Sequence, residues 1–180
     1  MDQVIKAIET SYRGHRMRSR LEARWSVFFD ALGIKWEYEP EGYNLGSAGL
    51  YLPDFYLPQV HMFAEVKPKW PTQAEMDKIT SLAKHTSTSV LILDGQPDFK
   101  NYWAAEYTDQ CSFPGEQVGH YFMDYIIDEG SCYWLDEGRF YSCTGLGPFE
   151  RQDTTEHSNH NGVLASRSAR FEFGESGASV

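Results

Sequence analysis

Residues 51–70, "YLPDFYLPQVHMFAEVKPKW", contain two apolar, strand-like runs with three charged residues inside them. The runs "LYLPDFYL" and "HMFAEVK" are separated by a short connection, which predicts a β-hairpin. Asp54 lies in the first run, and Glu65 and Lys67 lie in the second. Because burying a charge without a partner costs several kcal/mol, we expect these side chains to interact with one another or with a bound ion.

The alternation of side chains along a strand brings these charges together. Residues two apart share a face, so Glu65 and Lys67 point the same way and Val66 points into the core. If the two runs pair, Asp54 shares the face and the height of Glu65. The hairpin therefore predicts two carboxylates that converge on one point, with an ammonium group beside them.

The flanking sequence predicts an α/β fold around this hairpin. Apolar spacing indicates a helix over "SRLEARWSVFFDALG", and a capping-box spacing starts another over "PTQAEMDKITSLAKH". "IKWEYEP" and the apolar run "SVLILDG" are typical of strands, and "GYNLGSAG" is typical of a loop. Residues 1–11 could form a short leading helix. The order that follows is helix, three strands, helix, strand, which predicts a mixed sheet with helices against it.

The second half of the chain differs in composition from the first. Residues 102–149 are rich in aromatic residues; "HYFMDYIID" predicts a strand and "SCYWLDEGRFYSC" a hairpin that turns at "DEGR". We expect residues 96–149 to form a β-rich acidic extension, packed on or beside a core of residues 1–95. Residues 150–180 are polar and weakly periodic, which predicts a flexible tail.

Charge is unevenly distributed along the 180 residues, whose net charge is −10. Residues 1–94 carry 11 Lys or Arg and 12 Asp or Glu, whereas residues 95–180 carry 5 and 14. The segment "RGHRMRSRLEAR" concentrates five arginines, as a phosphate-contacting surface does, although a solvated helix face has the same pattern. The predicted phosphate contacts are Arg13, Arg16, Arg18, Arg20 and Arg24, with Lys69 as either a further contact or a surface charge.

Composition also indicates where the protein acts. No run reaches the ~18 to 20 apolar residues of a membrane span, and the first residues lack the apolar segment of a secretory signal. The three cysteines are too few and too spread for a disulfide framework. We therefore expect a reduced, cytoplasmic protein that does not contact a membrane.

The predicted charge cluster suits a hard divalent cation. Mg²⁺ or Mn²⁺ prefers oxygen ligands and is commonly held by one or two carboxylates together with substrate phosphate. Asp54 and Glu65 would bind the cation, and Lys67 would hold an attacking water and offset phosphate charge. The simpler alternatives are a turn that starts after Pro53 and an ion pair between Glu65 and Lys67 on an edge strand.

A zinc site in the second half is a weaker hypothesis. Three cysteines and three histidines are available there, but no pair has the Cys-x₂₋₄-Cys spacing of structural zinc sites. The candidate ligands would be Cys111, His120, Cys132, Cys143, His157 and His160, and buried free cysteines are the better interpretation of the three cysteines.

The motifs "PD" at 53–54 and "EVK" at 65–67 resemble the signature of the PD-(D/E)xK metal-dependent nucleases. Together with "SxxE" at 19–22, the forms "PDF" and "EVKP" are most similar to TnsA-type endonucleases, over about residues 12–95. The resemblance implies a restriction-endonuclease-like core and a Mg²⁺- or Mn²⁺-dependent endonuclease that cuts DNA, of a phage or mobile element. It adds Glu22 and the Val66 carbonyl to the metal ligands, although Glu22 could instead only cap its helix.

Two other functions stay open at this point. One is a non-catalytic binding protein on a nuclease fold, whose acidic second half binds a partner protein. The other is the nuclease subunit of a larger DNA-processing complex, in which a partner selects the DNA. The sequence does not define the oligomeric state, and a dimer is one option.

Overall fold

A computed structural model of the protein describes residues 7–59, 61–98, 101–105, 118–122, 133–136, 139–142 and 160–171. Its centre is a mixed β-sheet of eight strands with helices on both faces. The elements in chain order are β1 (Thr10–Tyr12), β2 (His15–Met17), α1 (Arg20–Ala31), β3 (Glu37–Tyr38), β4 (Tyr43–Asn44), β5 (Leu50–Tyr51), β6 (Phe55–Leu57), β7 (Met62–Lys67), α2 (Gln73–Thr86), β8 (Val90–Asp94), β9 (Asn101–Ala105), β10 (Val118–Phe122), β11 (Tyr133–Asp136), β12 (Arg139–Ser142) and α3 (His160–Ser168).

The strands of the main sheet run in the order β12-β11-β10-β9-β8-β7-β6-β3. Strands β3, β6 and β7 pair in antiparallel fashion, and β7 pairs with β8 in parallel. Two small hairpins, β1–β2 and β4–β5, lie outside this sheet. The order α1, β3, β6, β7, α2, β8 confirms the predicted succession of helix, three strands, helix, strand.

Alternating side chains of β7 and β8 face two separate cores. Ala64 and Leu91 contribute to the core beneath α1 and α3, whereas Phe63 and Ile92 contribute to the core beneath α2. This division follows from the two-residue period of a strand and fixes Glu65 and Lys67 on the α2 side of the sheet. The central position of β8, between β7 and β9, agrees with its continuous apolar sequence.

Local capping signals define both helices that the sequence predicts. The Ser19 side chain accepts a hydrogen bond of 3.1 Å from the backbone N–H of Glu22, and Gly33 follows α1 with φ of +69°. At α2, Thr72 and Glu75 form a complete capping box. These contacts satisfy backbone groups that a helix end leaves unpaired, and the predicted starts of both helices are confirmed.

Four of the predictions for the first half need correction. The predicted leading helix is wrong for the last residues of its range, because residues 10–12 form strand β1. The chain then turns at Arg13 and Gly14, both of which have positive φ. The strand over "IKWEYEP" is limited to β3. The run "LYLPDFYL" is divided between β5 and β6, since Pro53 between them has no N–H for a ladder. The predicted loop "GYNLGSAG" contains β4 and a 3₁₀ turn at Gly46–Ala48.

The predicted flexible tail is wrong for residues 160–171. Helix α3 packs on α1, with Val163 and Phe171 buried in the core shared by both helices. A Cβ on Gly162 would lie 2.9 Å from two ring carbons of Phe28, so only glycine fits at this approach. The rest of the predicted tail, residues 150–159 and 172–180, lies outside the described residues.

The described part of the acidic extension continues the main sheet. Strand β9 pairs with β8, and β10 pairs with β9. Strands β11 and β12 form the predicted hairpin, with Asp136 opposite Arg139 at "DEGR". Only the first part of "HYFMDYIID" is described, as the end of β10. Among the described helices, none is long and apolar enough to cross a membrane.

Candidate active site

Asp54 is fixed at the start of β6, directly across from β7. The register pairs Phe55 with Ala64, so the next step along the two strands places Asp54 opposite Glu65. The buried Asp54 carboxylate accepts a hydrogen bond of 2.8 Å from the backbone N–H of Val66 to Oδ2. The hairpin therefore holds Asp54 beside Glu65, as the alternation of side chains predicts.

Glu65 and Lys67 lie next to each other on the α2 side of β7. The Lys67 Nζ is 2.7 Å from Glu65 Oε1 and 3.8 Å from Glu75 Oε1, at the first turn of α2. Burial acts to lower the pKa of Lys67, but the surrounding carboxylates, Glu65 first, outweigh it and raise the pKa. The Glu65 Oε2 is buried and has no hydrogen-bond partner among the described protein atoms. One carboxylate oxygen is therefore left for a further ligand.

Arg18 occupies the other side of Asp54. Its Nη2 is 2.5 Å from Asp54 Oδ1, and its Nε is 2.7 Å from Glu39 Oε1. Burial opposes the charge of Arg18, while Asp54 raises its pKa. The sequence identified Arg18 only as a phosphate contact, and the structure instead places its guanidinium on a predicted metal ligand.

Glu22 is buried at the N-terminus of α1 with both carboxylate oxygens hydrogen-bonded. Its Oε1 accepts from the Ser19 hydroxyl at 2.7 Å, and its Oε2 accepts from the Tyr38 hydroxyl at 2.6 Å and the Arg18 backbone N–H at 3.0 Å. These bonds give the capping interpretation geometric support. In this position the charge of Glu22 is close enough to raise the pKa of Asp54.

The proximity of the acidic groups changes the ionisation of Asp54. Burial, followed by the charges of Glu65 and Glu22, raises the pKa of Asp54 from 3.8 to about 8. The Val66 N–H and the Arg18 guanidinium act in the opposite direction. A carboxyl group that resists ionisation in the folded protein indicates a site whose negative charge exceeds what its own cations neutralise.

The other predicted phosphate contacts divide into two groups. Arg13, Arg16, Arg20 and Lys69 are exposed, and Arg13 and Arg16 pair with Asp30 and Glu9 respectively. Arg24 is different, because its guanidinium donates to the carbonyls of Ser166 and Arg167 and lies over the ring of Phe171 at 5.8 Å. In the structure this side chain holds the C-terminal end of α3 against α1, and a contact of Arg24 with DNA stays a prediction.

Several residues near the site carried no clear signal in the sequence. Tyr38 looks like a core position from the alternation of its strand, and Glu39 looks like a solvent-facing one. Glu75 was noticed only as part of a capping box. Tyr51, whose buried hydroxyl lies near Glu65, is one more aromatic residue in an apolar run. Gln73, in the first turn of α2, hydrogen-bonds to Asp77 at the surface. The cysteines of the zinc hypothesis lie outside the described residues.

The side chains at this site are of the kind that binds a divalent cation, but they are not already arranged as a metal-binding cluster. Within the described ranges, no group of three or more His, Cys, Asp or Glu side chains is arranged to hold a metal ion. Asp54 and Glu65 nevertheless supply the oxygen donors that Mg²⁺ and Mn²⁺ prefer, and Glu65 Oε2 is unpaired among the described atoms. A cation that binds both carboxylates would replace the contact between Arg18 and Asp54.

Comparison of the chain with protein-family models, with curated proteins and with solved structures finds no match. The chemistry of this site and the sequence motifs "PD" and "EVK" are therefore what indicate the function of the protein.

Proposed function

We propose that the protein is a metal-dependent endonuclease that hydrolyses DNA phosphodiester bonds on a restriction-endonuclease-like core. The observation that carries the proposal is the pair of buried carboxylates, Asp54 and Glu65, held across from each other at the β6–β7 hairpin. Lys67 lies beside them, and one carboxylate oxygen has no protein partner among the described atoms. Such an arrangement is costly for stability alone, which favours a catalytic purpose.

Each charged residue of the site has a distinct role in this proposal. Asp54 and Glu65 hold Mg²⁺ or Mn²⁺, with the predicted Val66 carbonyl as a further ligand. A cation held there would supply Lewis-acid polarisation of a phosphoryl oxygen. Lys67 holds the attacking water through its ammonium group and offsets the charge of the phosphate. Glu22 fixes the start of α1 and adds negative charge beside Asp54.

Arg18 has one role in the metal-free site and another when substrate is bound. Its guanidinium contacts Asp54 Oδ1 in the metal-free site. If a cation took this place on Asp54, the planar donors of the guanidinium would be available to a phosphate group. The phosphate-contacting role predicted for Arg18 is then compatible with its position on Asp54.

The topology supports the same proposal. The antiparallel strands β3, β6 and β7, followed by α2 and the parallel strand β8, have the order that the resemblance to PD-(D/E)xK nucleases implies. The exposed cations Arg13, Arg16, Arg20 and Lys69 come from the segments on either side of the site residues in sequence. They supply charge for non-specific contact with a phosphate backbone.

The ion pairs of the site favour a second candidate, a non-catalytic binding protein. Arg18 on Asp54 and Lys67 on Glu65 are pairs that a protein without a cation would keep. In that case the carboxylates only stabilise the fold, and the acidic second half binds a partner. A nuclease subunit that needs a partner for access to DNA is the remaining alternative.

Cleavage of DNA by the purified protein tests the proposal. We expect supercoiled, linear or branched DNA to be cut in Mg²⁺ or Mn²⁺ but not in EDTA. Asp54→Ala and Lys67→Ala should abolish cutting, and Asp77→Ala, on the exposed face of α2, should not. Cutting that survives in both site variants would contradict the proposed site. Folded wild-type protein that cuts none of these substrates in either metal would favour the binding-protein or missing-partner alternatives.

A further inference from the structure

Tyr51 is placed at the candidate site by the small β4–β5 hairpin. It pairs with Tyr43 across this hairpin and packs against the core that includes Phe63. Phe63 and Glu65 share one face of β7, because they are two residues apart. The Tyr51 ring therefore approaches the same side of the sheet as the Glu65 carboxylate, and its flanking residues Leu50 and Leu52 are exposed.

The Tyr51 hydroxyl and the Glu65 Oε2 share an unusual state. Both atoms are buried, and in the described part of the protein neither makes a contact with full hydrogen-bond geometry, although a side-chain interaction between Tyr51 and Glu65 brings the two groups together. Buried polar atoms are almost always paired, so a donor and an acceptor that lie close together without a well-formed bond call for an explanation. A tyrosine hydroxyl carries its proton at neutral pH and can donate to a carboxylate oxygen.

We propose that Tyr51 is a positioning residue, whose hydroxyl orients the Glu65 carboxylate for a divalent cation. This inference rests on the proposed function, because it assigns a purpose to the unpaired oxygen of a predicted metal ligand. Lys67 already holds Oε1 of the same carboxylate at 2.7 Å. With Tyr51 donating to Oε2, directly or through one water, both oxygens of Glu65 are fixed in orientation before the cation arrives. Partners of this kind tune the affinity of a metal site without binding the metal.

Tyr43 offers a matched control for this role. It lies directly opposite Tyr51 in the same hairpin and is also partly buried, but its hydroxyl is influenced by Glu41 rather than by Glu65. Loss of the Tyr43 hydroxyl therefore tests whether any phenylalanine substitution in the hairpin has the same effect. Phenylalanine retains the ring at both positions, so ring packing is preserved in both variants and a difference between them reports the hydroxyl group.

The first measurement is a double-mutant cycle in EDTA between Tyr51→Phe and Glu65→Met, from the urea unfolding of both single variants and the double variant; methionine nearly matches the shape of glutamate and cannot accept from the Tyr51 hydroxyl as a carboxylate does. We expect the two substitutions to be coupled by at least about fivefold in the unfolding equilibrium constant. The cycle between Tyr43→Phe and Glu65→Met should show no coupling. A factor of about one for the Tyr51 cycle would overturn the proposed contact.

The second measurement is the affinity for Mn²⁺, followed by the electron paramagnetic resonance signal of the free ion. We expect Tyr51→Phe to weaken Mn²⁺ binding about tenfold and Tyr43→Phe to leave it unchanged. Equal Mn²⁺ affinity in Tyr51→Phe and wild type would overturn the positioning role. A wild-type protein that binds no Mn²⁺ would overturn the proposed function itself. Failure of the Tyr51 role and failure of the proposed function therefore give different results.

Discussion

Replacement of Asp54 by asparagine should make the metal-free protein more stable while it removes activity. The asparagine side chain keeps an oxygen that can accept the Val66 N–H, and it nearly matches the shape of a protonated aspartic acid. It removes the negative charge that burial, Glu65 and Glu22 oppose, and it also removes the oxygen that Arg18 contacts, which offsets part of the gain. Stability that increases on loss of a site residue is the expected signature of a group held in place for function.

The sign and size of the effect follow from the pKa of Asp54. This pKa lies at about 8 in the folded protein and at 3.8 ordinarily, so between these values the folded state binds a proton that the unfolded state has released. The free energy of unfolding of the wild type therefore falls as the pH rises through this window, by up to about 1.4 kcal/mol per unit. Asparagine does not ionise, so the variant should gain nothing near pH 4 and on the order of 2–5 kcal/mol at pH 8.

Urea denaturation in EDTA, followed by circular dichroism at pH 4, 6 and 8, measures this difference. Asp77→Asn is the control, because Asp77 is exposed on α2 and should show no such dependence on pH. Addition of Mg²⁺ at pH 8 should stabilise the wild type and leave Asp54→Asn unchanged. If Asp54→Asn is no more stable than the wild type at pH 8, the ionised Asp54 carboxylate is not unfavourable in the folded protein. This result would contradict the reasoning from the structure.

Three further substitutions test the packing that supports the site. Gly162→Ala should destabilise the protein by about 1–3 kcal/mol in thermal unfolding, because its methyl group would overlap the buried ring of Phe28; equal stability would contradict the packing of α3 on α1. Arg24→Ala should speed amide hydrogen exchange in α3 and cost about 1–2 kcal/mol, since it removes the contacts with the helix end and with Phe171; unchanged exchange would contradict that role. Thr72→Ala should cost about 1 kcal/mol in urea unfolding through loss of the capping box, and no loss would show that α2 does not depend on it.

The hairpin and its charges could be predicted from the sequence because they depend on local rules. Strand alternation places Glu65 and Lys67 on one face, and the short connection fixes the register that brings Asp54 opposite Glu65. The helix starts follow from Ser19 and Thr72, whose side chains cap the first turn. Each of these features is set by residues a few positions apart.

Features that depend on distant residues could not be predicted in the same way. The pair of Arg18 and Asp54 joins residues 36 positions apart, and nothing in an arginine-rich segment marks one guanidinium as a partner of a carboxylate. Arg24 likewise contacts a helix more than 140 residues later. Helix α3 has a weak apolar pattern because its small residues, including Gly162, allow close approach to α1. Gly14, which takes a positive φ at the turn between β1 and β2, is the local signal against a leading helix.

We propose that Asp54 and Glu65 bind a divalent cation in place of the contact between Asp54 and Arg18. Anomalous diffraction from crystals grown with MnCl₂, collected near the manganese absorption edge, tests this binding. We expect an anomalous peak in contact with both carboxylates and an Arg18 guanidinium that has left Asp54. Crystals at saturating Mn²⁺ with no peak at this site, and with Arg18 still paired to Asp54, would contradict it.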